Sequence, residues 1–224
     1  MERGGAQVSA VPSFDPQCRR CPRLSAFLDS VKSKYPEYHC RPVAPFGDPQ
    51  ARLLIVGLAP GMHGANATGR PFTGDHAGIL LYRTLHRYGF AAKPEVSGRD
   101  DGQVLSDCRI TNAVKCLPPE NKPVGAEVNA CNDYLGAELE GLPDGAVVLS
   151  LGGIAHKAVI RALGLRQADR PFAHAAEFEL PRARRLLASY HCSRYNTQTG
   201  RLTEAMFDAV IARAREWVDG AHTD

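Results

Sequence analysis

Residues 53–75, LLIVGLAPGMHGANATGRPFTGD, decide the fold. Leu53–Val56 is a short apolar run, the pattern that a parallel strand buried on both faces requires. The run stops at Gly57, and the loop carries Gly57, Gly61, Gly64, Gly69 and Gly74 with Pro60 and Pro71 among them. Glycines at that density permit positive φ and close backbone approach, while the prolines stiffen the loop. In open α/β sheets ligands bind at the carboxyl ends of strands, where this loop must lie. A plain glycine-rich turn between strand and helix is the alternative. Asn66, Thr68, Phe72, Thr73 and Asp75 favour a binding loop, because they add polar groups and one aromatic face.

Working outward, buried strands are expected near Cys108–Thr111, at Ala146–Leu151 and around Leu186–Tyr190. Helical spacing occupies Leu24–Val31, Ile79–Tyr88, Val128–Leu139, Ile154–Leu163 and a last segment from Glu204. In that last segment Thr203 can cap, Met206, Phe207, Val210, Ile211, Ala214, Trp217 and Val218 form an apolar stripe, and Gly220 follows the end. Phe172–Leu180 alternates in part and predicts an added strand or hairpin. Alternating strands and helices predict the α/β class: a three-layer α/β/α single domain with a mostly parallel central sheet. The domain is expected over 18–220, after a poorly ordered lead-in over 1–17.

The chain of 224 residues is long enough for a substantial core, and 44% apolar with 23% charged residues is ordinary for a globular protein. No apolar run approaches the roughly 20 residues that span a bilayer. MERGGAQVSA lacks a signal-peptide core, so a cytoplasmic, nucleoid-associated monomer with no membrane partner is expected. Net charge is only +3, but eight arginines stand against three acids and no lysine between Arg161 and Arg201. That stretch fits either a phosphate-facing surface or a solvated basic face.

Seven cysteines in a cytosolic protein are not expected to pair as disulfides. Cys18 and Cys21 form a C-x2-C pair, and Cys116 and Cys131 form a second pair separated by fourteen residues. Four thiolates can hold zinc or a [4Fe–4S] cluster, and their number does not separate the two. Cys108 reads as a small buried residue of a strand.

The 53–75 segment resembles motif 1 of the type 5 uracil-DNA glycosylases. Asn112–Cys116 with the following LPPENKP resembles the second family segment, and His191–Thr203, HCSRYNTQTGRLT, the third. In order and spacing the similarity runs from about Cys18 to Trp217. It implies a DNA repair enzyme that hydrolyses the N-glycosidic bond of uracil and of other deaminated bases such as hypoxanthine and xanthine. It also implies a structural [4Fe–4S] cluster held by Cys18, Cys21, Cys116 and Cys131. The partner is then double-stranded DNA containing damaged bases, with single-stranded DNA as a further candidate. Two departures stand out: Ala67 follows Asn66 where the family usually has arginine, and Cys192 follows His191 where it usually has proline.

Such chemistry requires a nucleotide extruded into a pocket that stacks its face and reads its edge. Gly57 and Ala59 belong to the pocket floor, and Phe72 is the stacking face. Asn112 ends a strand, and its amide offers the donor and the acceptor that match one edge of uracil. His191 follows a strand at the same end of the sheet and can donate to the O2 of the departing base, as a neutral or a charged ring. Ala59 occupies the place where many uracil-DNA glycosylases hold a water-activating aspartate or asparagine, an absence that the resemblance makes normal for type 5. Asn66 is the candidate for positioning the water. Arg194 and Tyr195 form the loop tip expected to enter the minor groove, and Asn196 orders that loop or contacts DNA. Two rivals compete: a zinc- or iron-sulfur-organised DNA-binding module without catalysis, and a nucleotide-cofactor enzyme. The second lacks a compact G-x-G-x-x-G after the strand.

Overall fold

The apolar runs pair into one sheet because each is flanked by polar turns and too short for a helix. In a computed structural model, which describes residues 14–220, six strands form: β1 (Phe46–Gly47), β2 (Leu53–Gly57), β3 (Cys108–Asn112), β4 (Val147–Leu151), β5 (Glu177–Glu179) and β6 (Arg185–Ser189). Their order is β1-β3-β2-β4-β6-β5. The four inner strands are parallel, with Gly57 level with Asn112, Leu53 with Val147 and Leu151 with Ser189. Both edge strands are antiparallel to their neighbours.

Seven helices accompany the sheet: α1 (Pro22–Lys34), α2 (Ala65–Thr68), α3 (His76–Arg87), α4 (Gly125–Glu140), α5 (Gly153–Ala162), α6 (Arg194–Gln198) and α7 (Glu204–Gly220). Every side chain of β2 is buried, and alternate residues face opposite layers. Leu53 and Ile55 pack with Leu81 and Leu85 of α3 and Phe207 and Ile211 of α7. Leu54 and Val56 pack with Leu135 of α4 and Val159 of α5. The three-layer architecture expected from the alternating pattern is therefore present. A smaller cluster joins Leu28 and Val31 of α1 to Leu117.

Phe172–Leu180 contributes only the three residues of β5, paired antiparallel to β6. Thr203 caps α7 as expected, its hydroxyl accepting from the Met206 N–H at 3.2 Å. The lead-in foreseen over 1–17 lies outside the described residues up to position 13; Phe14 packs edge-on against Tyr134, ring centroids 6.0 Å apart. Among the described residues no helix is long and apolar enough to cross a membrane.

The arginine-rich stretch does not make one surface. Arg182, Arg184 and Arg185 lie at the amino end of β6, whereas Arg194 lies beyond its carboxyl end. Arg182 pairs with Asp144 at 2.6 Å. Arg184 is buried and donates to the carbonyls of Leu139 and Leu142, each at 2.7 Å, where α4 ends. Its guanidinium thus satisfies carbonyls that a helix terminus leaves without intrahelical partners. An Arg184→Ala variant leaves them buried and unpaired, so chemical denaturation should show a loss of about 1–3 kcal/mol. An unchanged unfolding midpoint would assign that helix end another cap.

Candidate functional site

The level carboxyl ends of β2, β3, β4 and β6 open into a cavity of about 630 Å³. Its walls include Ala59 and Met62 after β2, Phe72, Asp75 and His76 ahead of and in α3, and Asn112 at the end of β3. Gly152–Ala155 line it after β4, and His191, Ser193 and Arg194 after β6. Because each helix follows a strand in a parallel unit, the amino ends of α3 and α5 both face the cavity. Their partial positive charges favour anionic character inside it.

The loop after β2 is shaped by close contact. Phe72 adopts a positive φ of 53°, with its carbonyl against Gly78 of α3, where any methyl group would collide with it. A methyl group on Gly57 would strike Oδ1 of Asn112 and come within 2.7 Å of Phe72 Cζ. Gly57 is therefore what lets Asn112 and Phe72 approach each other, though it does not itself line the cavity. Arg70 secures the turn: it is buried, pairs with Asp101 at 2.6 Å and donates from Nε to Thr73 Oγ1 at 2.8 Å. Arg70 holds the Asp101 carboxyl well below the usual carboxylate range. Asp75 caps α3 by accepting from the Gly78 N–H at 3.0 Å. Burial pushes its carboxyl up against the opposing backbone N–H groups of Gly78 and Ala77.

The His191 ring stacks on Phe72, centroids 5.7 Å apart and planes 24° apart. Its Nδ1 is buried without a hydrogen-bond partner. Burial pulls the ring's pKa down to about 4, so the imidazole is neutral at physiological pH. Asn196 steadies this turn, its amide donating to the His191 carbonyl at 2.8 Å. Ser193 caps α6, which sets Arg194 on the cavity rim and leaves Tyr195 70% exposed beside it.

Phe72, Asn112, Ala59, His191 and Arg194 are thus brought together around one cavity. Asn66 is not among the residues that line it. Asn66 is fully buried in α2, its Nδ2 3.5 Å from both Cys40 Sγ and the Met62 carbonyl. Sequence reasoning missed Asn121, Ser193, His76 and Ile154 as cavity residues. Asn121 carries a positive φ of 56° in the turn of LPPENKP, and that turn was the one available signal.

Away from the cavity, Cys18, Cys21, Cys116 and Cys131 line one small pocket together with Arg20 and Tyr134. Cys21 precedes α1, Cys116 follows β3 and Cys131 sits in α4, so residues far apart in the chain face one another. Among the described residues no three His, Cys, Asp or Glu side chains converge closely enough to hold a single metal ion. Lys115, on the wall of the same pocket, is buried and pairs with Glu138 at 2.5 Å.

At the strand ends of this fold an aromatic face, an amide and an imidazole meet in one cavity. The family model of the uracil DNA glycosylase superfamily matches residues 44–215. The chain belongs to that superfamily, and within it to the type-5 branch. It is 49% identical to the type-5 uracil-DNA glycosylase of Thermus thermophilus over 88% of this chain and 92% of that one. Identity is 44% to the type-5 protein of Pyrobaculum aerophilum, over 88% and 87%. To that of Mycobacterium leprae it is 40%, over 96% and 98%.

The neutral histidine has a measurable signature. His191 should titrate by NMR with a midpoint near 4, well under the ~6.5 of a free imidazole. Because folding depresses this pKa, its contribution to stability is intact above about pH 6.5 and is lost as pH falls towards 4. A midpoint at or above physiological pH would mean that a charged ring predominates in the pocket.

Proposed function

We propose that this protein is a DNA glycosylase that hydrolyses the N-glycosidic bond of uracil and of other deaminated bases, including hypoxanthine and xanthine, in double-stranded DNA. The observation that carries the reading is the cavity in which Phe72, Asn112 and His191 converge at the carboxyl ends of the sheet. An extruded base lies against Phe72, and the Asn112 amide pairs with its edge. As the bond to the sugar breaks, the electron pair leaves on the base's ring nitrogen, and charge spreads to its exocyclic carbonyl oxygens. Neutral His191 donates a hydrogen bond to that charge, and the amino ends of α3 and α5 stabilise it further. The sugar passes through an oxocarbenium-like state that water captures at C1′. Ala59 offers no base to activate the water, so leaving-group stabilisation dominates the rate. Asn66 does not reach that water, because it lies outside the cavity lining with its amide directed at Cys40 and Met62.

The reaction leaves an abasic site with the strand intact. The three motif segments contain no lysine other than Lys115 and Lys122, and Lys115 is buried in its pair with Glu138. Among the described residues no lysine lines the cavity, which supports a reaction without a Schiff-base nucleophile. Arg194 and Tyr195 on the rim fill the gap that the flipped base leaves in the duplex.

Four thiols gathered on one pocket from the chain start, the β3 exit and α4 fit the donor set of a [4Fe–4S] cluster. Cys18, Cys21, Cys116 and Cys131 would hold it. When bound it supplies cross-linking rather than chemistry at the base. Cys18→Ala or Cys131→Ala should yield protein with little iron or acid-labile sulfide and poor solubility. Full iron and normal folding in either variant would remove that cysteine from the ligand set.

The central test uses end-labelled duplexes containing uracil, hypoxanthine or xanthine, followed by alkaline cleavage. Breaks are expected at the modified base after alkali and not before it. His191→Ala should slow single-turnover excision of every base by about 10²–10³-fold. Asn112→Ala should slow uracil more than hypoxanthine, since an edge reader discriminates through its own hydrogen bonds. Equal proportional losses for Asn112→Ala on both bases would end its role as edge reader, and intact duplexes after alkali would end the glycosylase reading.

A further inference from the structure

The four-residue α2 borders two concavities. Ala65 lines the base cavity, whereas Ala67 and Thr68 line a second pocket of about 430 Å³. Around that second pocket stand Lys32, Arg41 and Arg99, with Glu37 as its one acid. None of the three cations forms an ion pair among the described residues; the Lys32 ammonium donates only to the Tyr38 carbonyl. Arg70 and Arg87, by contrast, are paired with Asp101 and Asp208. The ring of His39, also on this pocket, has its pKa lowered by burial and then by the charges of Arg99, Arg41 and Lys32. Three cations therefore share one concave surface with little opposing charge, which is the electrostatic profile of an anion site.

The arrangement is pre-organised. Arg99 rides a loop pinned by Asp101, which accepts from the Ser97 N–H at 3.0 Å and the Gln103 N–H at 2.9 Å. Arg70 adds a bond to the Arg99 carbonyl at 3.2 Å, so the residue that braces the Phe72 turn also braces this loop. On the other side the Tyr38 hydroxyl meets His63 Nδ1 at 2.8 Å, and His63 lines the base cavity. His39 and Cys40 donate from their backbone N–H groups to the Ala67 and Asn66 carbonyls, at 3.0 and 3.1 Å.

We propose that this pocket is a phosphate subsite, in which Lys32, Arg41 and Arg99 grip the DNA backbone at a phosphate outside the nucleotide held in the base cavity. The proposal rests on DNA being the substrate. Gripping the backbone there fixes the strand against the same short helix that walls the base cavity, so docking and base capture share one rigid element. Phosphate contacts of this kind position the duplex without reading its sequence.

The test is the salt dependence of binding to an undamaged duplex, measured by fluorescence anisotropy on the full chain. An Arg41→Gln/Arg99→Gln double variant should lower the slope of log Kd against log salt by about 2, about 1 for each cation removed. The Arg→Lys versions at both positions should keep the wild-type slope. In single-turnover excision from a uracil duplex the double variant should need more protein than the wild type to reach its half-maximal rate, because backbone contacts are lost. An unaltered slope in the double variant overturns the proposal, as does a slower chemical step with an unaltered slope. In a second arm, inorganic phosphate is titrated against the wild-type protein and the double variant. Thermal protection of the wild type alone, with no competition against duplex binding, would assign the pocket to a free anion and overturn the DNA reading of it. If the double variant does not fold, the single variants carry the test at about 1 each. Because binding to undamaged DNA needs no excision, a wild-type protein that never excises a base would fail the functional reading while leaving this one standing.

Discussion

The parallel register of β2, β3, β4 and β6 is the constraint on which the rest depends. Gly57 level with Asn112 and Leu151 level with Ser189 bring four strand ends to one height. The next residue or two of each strand then become wall rather than core: Ala59, Gly152 and His191 all reach the cavity this way. A one-residue slip of β6 would turn its apolar set over to the wrong layer. It would also carry His191 out of line with Phe72. The same parallelism points the amino ends of α3 and α5 at the cavity, so the sheet sets both its shape and its polarity.

Inside the cavity, charge is withheld rather than supplied. His191 is neutral because it is desolvated, Asp75 is occupied in capping α3, and Ala59 contributes no polar group. The fixed charges stand at a distance: Arg194 on the rim, and Arg41 and Arg99 beyond α2. A neutral interior with cations outside suits a polymer whose own charge is confined to its backbone. Within such an interior each hydrogen bond to a developing anion is stronger than it would be in water.

The fold was legible where burial wrote a pattern. β2 is a continuous apolar run, β4 is one broken only by Ser150, and the α7 stripe from Phe207 to Val218 is unambiguous at helical spacing. The short pieces were not, because α2, α6 and β1 are too brief to repeat any period. Phe72, Asn112 and His191 could be placed since each follows a predictable strand or punctuates a glycine-rich loop. Asn66 shows the limit: its sequence neighbours are loop residues, but α2 turns its side chain inward. Arg184 shows another, since nothing local distinguishes an arginine that caps a helix 45 residues earlier in the chain from one that faces phosphate. The partners of Arg70 and Lys115 likewise come from distant segments.

The glycines packed in and behind the pocket wall carry a consequence for evolvability. Gly57 cannot gain a side chain without striking Asn112, nor Gly78 without striking the Phe72 carbonyl, and at Gly64 a methyl group would lie 2.6 Å from Asp75 Oδ2. Any single substitution at these positions damages the pocket before it can alter what the pocket accepts. A change in what the cavity accepts is then left to lining residues that carry a side chain, such as Ala59, Asn121 and Ser193.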